Sequence, residues 1–221
     1  MTYRQSVRLV VALLLTILAG QSLAATPDAT PLAVVKNTTD RILALSTQAR
    51  SYYKENPQRY YDQVSDVLLP VVDFDGFARG VMATYASARL YQSLKTEQEK
   101  QQFQQRISRF ASKLRETVIT TYADSLLAFN GERISVSVPP GGEAKNHRAT
   151  VLQEIYSSSG KVYQVFYSMR EFRDGGWKVR NVTVDGVNFG QLYRTQFANG
   201  VEKARGDVDQ AIENWGNANA G

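Results

Sequence analysis

The chain has 221 residues, with 26 Lys and Arg, 21 Asp and Glu, one His and no Cys, and a formal net charge of +5. The lack of cysteine excludes disulfide bonds, a cysteine nucleophile, thiolate metal sites and lipid anchoring through sulfur. A single histidine excludes a zinc site built from several histidines. The 43% hydrophobic and 21% charged content is typical of a globular protein.

The N-terminal segment has the three-part pattern of a secretory signal peptide. Residues 1–8 are basic through Arg4 and Arg8, the apolar run 9–19 is too short to span a bilayer, and small residues surround Ala24. We predict a signal peptide at residues 1–24 that is cleaved on export to the periplasm; an uncleaved anchor is the alternative. Without its two arginines the mature chain has 24 basic and 21 acidic groups, a surplus too small to indicate nucleic-acid binding.

Helical patterns fill the chain from the end of a polar, proline-containing lead-in at residues 25–31. Thr30, Asn56 and Asp73 are each predicted to cap a helix. Apolar residues at helical spacing predict that the first helix reaches Lys54, and Pro70 is predicted to end the second.

A long helix is predicted from residue 97, because Thr96 and Glu99 have the spacing of a capping box. Its apolar positions recur every three or four residues and therefore share one face. They are Phe103, Ile107, Phe110, Leu114, Val118 and Tyr122. Asn130 and Gly131 form the predicted stop.

The period then changes to two, which predicts strands at residues 134–138, 149–156, 162–172 and 177–184. Hairpin-length links predict an antiparallel sheet, and a phase change within the last strand predicts a bulge near Arg180 and Asn181. A helical region with its last apolar position at Val201 follows, and a short terminal helix starts at Gly206 and Asp207.

The predicted fold class is α+β, with an antiparallel sheet of about four strands packed against helices and a helical subdomain. We predict that residues 25–221 form a single mature unit. About 31–130 are mainly helical, about 132–187 form the sheet, and about 188–216 form closing helices.

Catalytic patterns are weak. His147 lies in a polar loop between strands, where a surface histidine is the better interpretation than a catalytic one. Asp73 and Asp75 are interpreted as a helix cap and a first-turn acid instead of a catalytic pair. The sequence has no phosphate-binding glycine loop followed by lysine, and no helix with paired histidines.

Basic residues cluster at helical spacing in Arg106, Arg109 and Lys113. A solvated helix face is the simpler interpretation. The functional alternative is a docking surface for an acidic partner or for lipid headgroups.

Four motifs in order carry a family resemblance: VDFDGFARGV at 72–81, TYA at 121–123, WKVRNVTVDGV at 177–187 and YRTQF at 193–197. Together they resemble MlaC, the toluene-tolerance family of periplasmic phospholipid carriers, over about residues 32–215. The chain departs from the family pattern at Asn181, where an acidic residue is usual, and at Asn188, where a serine is common.

The resemblance implies an NTF2-like α+β fold whose cavity between sheet and helices holds acyl chains, with the headgroup outside. It implies a non-enzymatic, monomeric carrier without cofactor that takes phospholipid as cargo. Its implied partners are an inner-membrane MlaD-type ABC transporter complex and an outer-membrane MlaA-type lipoprotein with porin. The implied role is to shuttle lipid between these complexes and so maintain outer-membrane lipid asymmetry.

A physical argument supports the need for a carrier. Each methylene exposed to water costs about 0.8 kcal/mol, so unassisted desorption of a lipid is slow. A carrier needs an apolar wall with no charge inside. The predicted lipid-binding residues, for each of which ordinary core is the alternative, are Phe74, Phe77, Val81, Tyr85, Tyr122, Leu126, Tyr163, Val165, Tyr167, Met169, Trp177, Val179, Val184, Tyr193 and Phe197. Arg79 and Arg194 are candidates for the cavity mouth or for a structural ion pair.

Two other functions remain open on sequence alone. An NTF2-like enzyme acting on a small apolar substrate needs a buried acid or histidine, and Asp124 and Asp185 are the candidate acids. A periplasmic protein-binding chaperone needs its apolar residues to form an exposed groove instead of a cavity.

Overall fold

Helices pack against an antiparallel sheet in the computed structural model, which describes residues 30–127, 133–157 and 160–216. The helices are α1 (Pro31–Ala49), α2 (Pro57–Leu68), α3 (Phe74–Met82), α4 (Ala88–Ser93), α5 (Glu97–Leu127), α6 (Phe189–Lys203) and α7 (Val208–Glu213), with a 3-10 helix at Ala83–Ala86. The strands are β1 (Ile134–Ser137), β2 (Arg148–Tyr156), β3 (Val162–Glu171), β4 (Trp177–Val184) and β5 (Val187–Asn188). The α+β prediction is confirmed.

Two sequence predictions fall outside the described residues: the signal peptide at 1–24 and the helix stop at Asn130 and Gly131. Within the described ranges, no helix combines the length and apolarity that crossing a membrane requires.

The predicted helix caps are confirmed. The side chains of Thr30, Asn56 and Asp73 each accept a hydrogen bond from the backbone N–H three residues later. In the capping box, Thr96 Oγ1 accepts from the Glu99 N–H at 3.1 Å, and Glu99 Oε2 accepts from the Thr96 N–H at 2.8 Å. These bonds satisfy backbone donors that have no partner within the helix.

The first helix ends at Ala49, five residues before the predicted end at Lys54. The chain continues in turns that direct two tyrosines towards other helices. Tyr52 donates a hydrogen bond to Gln63 of α2, and Tyr53 donates to Asp124 of α5 at 2.6 Å.

The sheet has the order β1-β2-β3-β4-β5, and every neighbouring pair is antiparallel. Asn181 lies opposite Ser168 and Val179 lies opposite Met169, which leaves Arg180 as the extra residue of a bulge. The predicted bulge is therefore confirmed. The two-residue strand β5 was not predicted.

Buried apolar residues form three clusters. One lies among α3, α5, α6 and α7, and includes Phe110, Tyr193 and Phe197. A second joins the sheet to α1, and a third joins α1, α2 and the C-terminal part of α5. Since α1 contributes to both of the last two clusters, it bridges the sheet and the layer formed by α2 and α5.

Candidate functional site

A cavity of about 300 Å³ lies where α1, α2, α3 and α5 face the sheet. This volume falls at the lower end of the range for small-molecule pockets. Its lining is predominantly apolar. The lining residues are Val34, Val35, Thr38, Thr39, Ile42, Leu43, Val64, Leu68, Val71, Val72, Phe74, Phe77, Val118, Leu126, Ile134, Gln153, Ile155, Tyr167, Val179, Arg180, Asn181 and Val182.

Three polar side chains form a hydrogen-bonded chain across the cavity wall, from the sheet to α1. The Tyr167 hydroxyl donates to Gln153 Oε1 at 2.6 Å, and Gln153 Nε2 donates to Thr39 Oγ1 at 2.9 Å. Thr39 in turn donates to the backbone carbonyl of Val35 at 2.9 Å. Burial raises the pKa of Tyr167 to about 12, so its hydroxyl remains protonated and uncharged at neutral pH.

One charged side chain, Arg180, contributes to the lining, contrary to the expectation of a cavity without charge. The β4 bulge places it beside α3, where its Nη1 lies 2.8 Å from Asp73 Oδ2. The other carboxylate oxygen of Asp73 accepts from the Gly76 N–H at 2.9 Å. The guanidinium is thus neutralised by the residue that caps α3.

The segment before α3 fixes this corner of the cavity to the sheet. The Val179 N–H donates to the Val71 carbonyl, and the Asp73 N–H donates to the Val179 carbonyl, both at 2.9 Å. Val72 therefore pairs with Val179 in an isolated parallel bridge. Since Val71, Val72 and Val179 all line the cavity, the bridge continues the sheet wall into the helical layer.

Five of the fifteen predicted lipid-binding residues line the cavity. They are Phe74, Phe77, Leu126, Tyr167 and Val179. The other ten are not among the lining residues, and their contact with lipid stays a prediction.

Four of these ten belong to the helical core instead. Val81, Tyr193 and Phe197 are buried there, and Tyr85 packs against that cluster. The ring centroids of Phe197 and Phe110 are 4.6 Å apart. Periodicity in the sequence does not separate these positions from a cavity wall, because α3 and α6 also contribute to this helical cluster.

Five of the remaining six lie on the sheet, whereas Tyr122 lies on α5 with its ring against Phe189 of α6. Met169 and Trp177 are buried between the sheet and α1, and Val165 is buried on β3. Val184 is half-buried, whereas Tyr122 and Tyr163 are exposed. Of the four candidate residues on β3, only Tyr167 therefore contributes to the cavity lining.

The main contribution that sequence reasoning missed is α1. It supplies six lining residues, namely Val34, Val35, Thr38, Thr39, Ile42 and Leu43. The helical spacing of its apolar positions was visible in the sequence. That spacing does not distinguish a helix that packs on a sheet from one that lines a cavity beside it.

The candidate acids of the enzymatic alternative are both exposed. Asp124 accepts hydrogen bonds from the hydroxyls of Tyr53 and Tyr61, at 2.6 and 3.0 Å, and Asp185 accepts from the backbone N–H of Gln164 at 2.9 Å. Neither lines the cavity. Exposure of both carboxylates counts against an enzyme that uses either of them in a buried site.

His147 is a surface residue, as interpreted from the sequence. Its side chain is 78% exposed, and its Nδ1 lies 2.9 Å from Glu171 Oε2. Within residues 30–127, 133–157 and 160–216, no three acidic or histidine side chains gather in a way that would hold a metal ion.

The basic cluster on α5 is paired with α7. Asp209 accepts from Arg106 at 2.7 Å and also from Arg109, and Lys113 Nζ lies 3.4 Å from Glu213. The positive charge of this cluster is largely compensated within the chain, so it no longer supports a docking surface for an acidic partner or lipid headgroups. The Arg106 guanidinium lowers the pKa of Asp209.

The two other candidate arginines have structural contacts outside the cavity. Arg79 donates to Gln104 of α5, and Arg194 donates from Nε to the carbonyl of Gly80 at 3.0 Å. Arg194 thus satisfies a carbonyl in the last turn of α3. Neither arginine lines the cavity.

Comparisons with known proteins agree with this architecture. The family model described as MlaC protein matches residues 36–217. The chain is 33% identical over 202 residues to the toluene tolerance protein ttg2D of Pseudomonas putida, covering 91% of this chain and 87% of that protein. Among solved structures, it is similar to the phospholipid-binding protein from Ralstonia solanacearum in complex with a phospholipid. That match has 23% identity and a TM-score of 0.61 and covers 82% of this chain and 92% of the other.

Proposed function

Because the chain belongs to the MlaC family, we propose that it is a non-enzymatic periplasmic carrier of phospholipid. In this proposal the acyl chains occupy the cavity between α1, α2 and the sheet, and the headgroup lies outside. The observation that carries the proposal is the predominantly apolar lining of that cavity. The solved phospholipid complex of a structurally similar protein supports the choice of cargo.

The cavity suits the physical task of a carrier. An acyl chain leaving a bilayer exposes methylenes at about 0.8 kcal/mol each, and apolar side chains offset this cost without charged or reactive groups. The guanidinium of Arg180 is paired with Asp73, so it does not face the cargo as an isolated charge. The protein supplies no catalytic group in this proposal, and phospholipid is cargo instead of cofactor.

Organic extraction of the purified protein followed by mass spectrometry tests the cargo. We expect a phospholipid to copurify, and delipidated protein to take up labelled phospholipid from vesicles. Extracts without phospholipid, together with no uptake from vesicles, would refute the proposal. Crosslinkers placed at cavity positions that capture other proteins and never lipid would favour the chaperone alternative.

We further propose that the protein shuttles lipid between an inner-membrane MlaD-type ABC transporter complex and an outer-membrane MlaA-type lipoprotein with porin, and so maintains outer-membrane lipid asymmetry. The family membership supports these partners. Lipid-loaded protein mixed with each purified complex should exchange labelled lipid with it. Failure to exchange with both complexes, by protein that does take up lipid from vesicles, would remove the shuttling role and leave lipid binding intact.

Export is part of the same proposal. Cleavage after Ala24 predicts a mature chain that begins at Ala25. Intact-mass measurement of protein recovered from the periplasmic fraction checks this prediction. A mass that retains residues 1–24 would indicate an uncleaved anchor instead.

A further inference from the structure

We propose that Gln153 donates a hydrogen bond to an ester carbonyl of the bound lipid, and that the protein therefore prefers ester-linked to ether-linked lipid. This inference rests on the proposed phospholipid cargo. It assigns a specificity-determining role to a polar residue in an otherwise apolar wall.

The direction of each hydrogen bond in the polar chain follows from the number of hydrogens available. The Thr39 hydroxyl has one hydrogen, which it donates to the Val35 carbonyl at 2.9 Å. Thr39 must therefore accept at its oxygen from Gln153, 2.9 Å away, which places the amide nitrogen of Gln153 towards α1. The amide oxygen of Gln153 then accepts from Tyr167 at 2.6 Å.

This arrangement leaves Gln153 with one unused N–H. A primary amide carries two hydrogens on its nitrogen, and the bond to Thr39 uses one of them. Gln153 is only 5% exposed and lines the cavity, so the second hydrogen has little access to bulk water. A buried donor without an acceptor is unfavourable, and hydrocarbon offers no acceptor. A lipid carbonyl at this position would satisfy it.

The surroundings of Gln153 favour a neutral acceptor. Tyr167 remains protonated, and the cavity-lining cation Arg180 is already paired with Asp73. An anionic phosphate at Gln153 would therefore lack a free counter-charge among the described lining residues, whereas an ester carbonyl needs only a hydrogen-bond donor.

The position of Gln153 along the sheet also fits an ester. It is buried on β2, where it pairs with Val136 of β1 and Val165 of β3. Apolar lining continues to both sides, at Ile155 two residues along β2 and at Val179 near the opposite end of the sheet. Hydrocarbon can therefore extend from the ester in either direction along the cavity.

A competition experiment tests the preference. Delipidated protein is mixed with vesicles containing equal amounts of ester-linked phosphatidylglycerol and its ether-linked analogue with matched chains, and the bound lipids are measured by mass spectrometry. One added hydrogen bond predicts about fivefold enrichment of the ester lipid in the wild type. Gln153→Met should bring the ratio near one. Gln164→Met, at an exposed position on β3, should leave the enrichment unchanged.

The outcomes separate this inference from the proposed function. Equal uptake of both lipids by the wild type, or a preference that persists in Gln153→Met, would overturn the role of Gln153 and leave the carrier role standing. Uptake of neither lipid would refute the carrier role itself.

A measurement on the wild type keeps the inference testable if Gln153→Met does not fold. Infrared spectra of bound lipid with ¹³C-labelled ester carbonyls should contain a band shifted to lower frequency by a hydrogen bond. Ester bands at the position found in dry hydrocarbon would contradict the inference.

Discussion

Two glycines on the same helix are expected to respond oppositely to alanine substitution. Gly76 and Gly80 both lie within α3, and helix propensity alone predicts that alanine stabilises each site by about 1 kcal/mol. A Cβ at Gly80 would have no neighbouring atom within 4 Å. A Cβ at Gly76 would instead overlap the Asp73 carboxylate and the Arg180 guanidinium.

The cost at Gly76 follows from the ion pair that the new methyl group would displace. The side chains of Asp73 and Arg180 are 13% and 33% exposed, so the pair is largely but not fully buried. Breaking a fully buried pair costs about 3–5 kcal/mol, and we take about 2–3 kcal/mol for this one because of its partial exposure. After the gain in helix propensity, Gly76→Ala should lose about 1–2 kcal/mol, which lowers Tm by roughly 2–8 °C for a chain of this size.

Thermal unfolding followed by circular dichroism is the assay, with Gly80→Ala as the matched control. Gly80→Ala should have an unchanged or higher Tm. A third variant, Arg180→Ala, removes one of the two clashing groups, so adding Gly76→Ala to it should cost less than adding it to the wild type. If Gly76→Ala is as stable as the wild type, the close packing of Asp73 and Arg180 against Gly76 is refuted.

Three further substitutions test other parts of the structure. Tyr60→Phe removes a fully buried hydroxyl that bonds Ser46 at 2.8 Å and the Ala123 carbonyl at 3.2 Å, and should lower the free energy of unfolding in urea by about 1–3 kcal/mol. The control Leu69→Ala, at an exposed position, should lower it little, and equal losses in the two variants would contradict the packing. Asp209→Asn should cost at most about 1 kcal/mol at pH 7, because the pair is partly exposed. The lowered pKa of Asp209 means that its contribution is present above the unfolded-state pKa near 3.9 and is lost as pH falls through the folded-state value, so the two proteins should converge in stability at low pH; a difference that persists there would contradict this assignment. Leu68→Trp should weaken phospholipid uptake roughly fourfold for each lipid methylene that the larger side chain displaces from the cavity. Leu69→Trp, outside the cavity lining, should take up phospholipid normally, and equal uptake by the two variants would count against the cavity as the lipid site.

Local features were the most predictable from the sequence. The caps at Thr30, Asn56 and Asp73 and the capping box at Thr96 depend on residues three positions apart, so a short stretch of chain determines them. The bulge at Arg180 was predictable because a two-residue period that changes phase requires an extra residue.

Features that depend on distant segments were predicted less well. Phe74 and Phe77 line the cavity, whereas Val81 on the same helix is buried in the helical core, because α3 lies between two apolar layers. The charges of Arg106 and Arg109 are compensated by Asp209, about a hundred residues away in the chain. Periodicity identifies an apolar or charged face but does not identify what covers it.

The central claim, that acyl chains lie beneath α1 against the sheet, is tested most directly by photochemical crosslinking from the lipid. Wild-type protein is loaded with a phospholipid that carries a diazirine on one acyl chain, irradiated, digested and mapped by mass spectrometry. The account predicts adducts on α1, α2 and the cavity-facing positions of β2 and β4, such as Val35, Leu68 and Val182. Adducts confined to α6 and α7, around Phe197 and Trp215, would place the lipid in the helical core and contradict it.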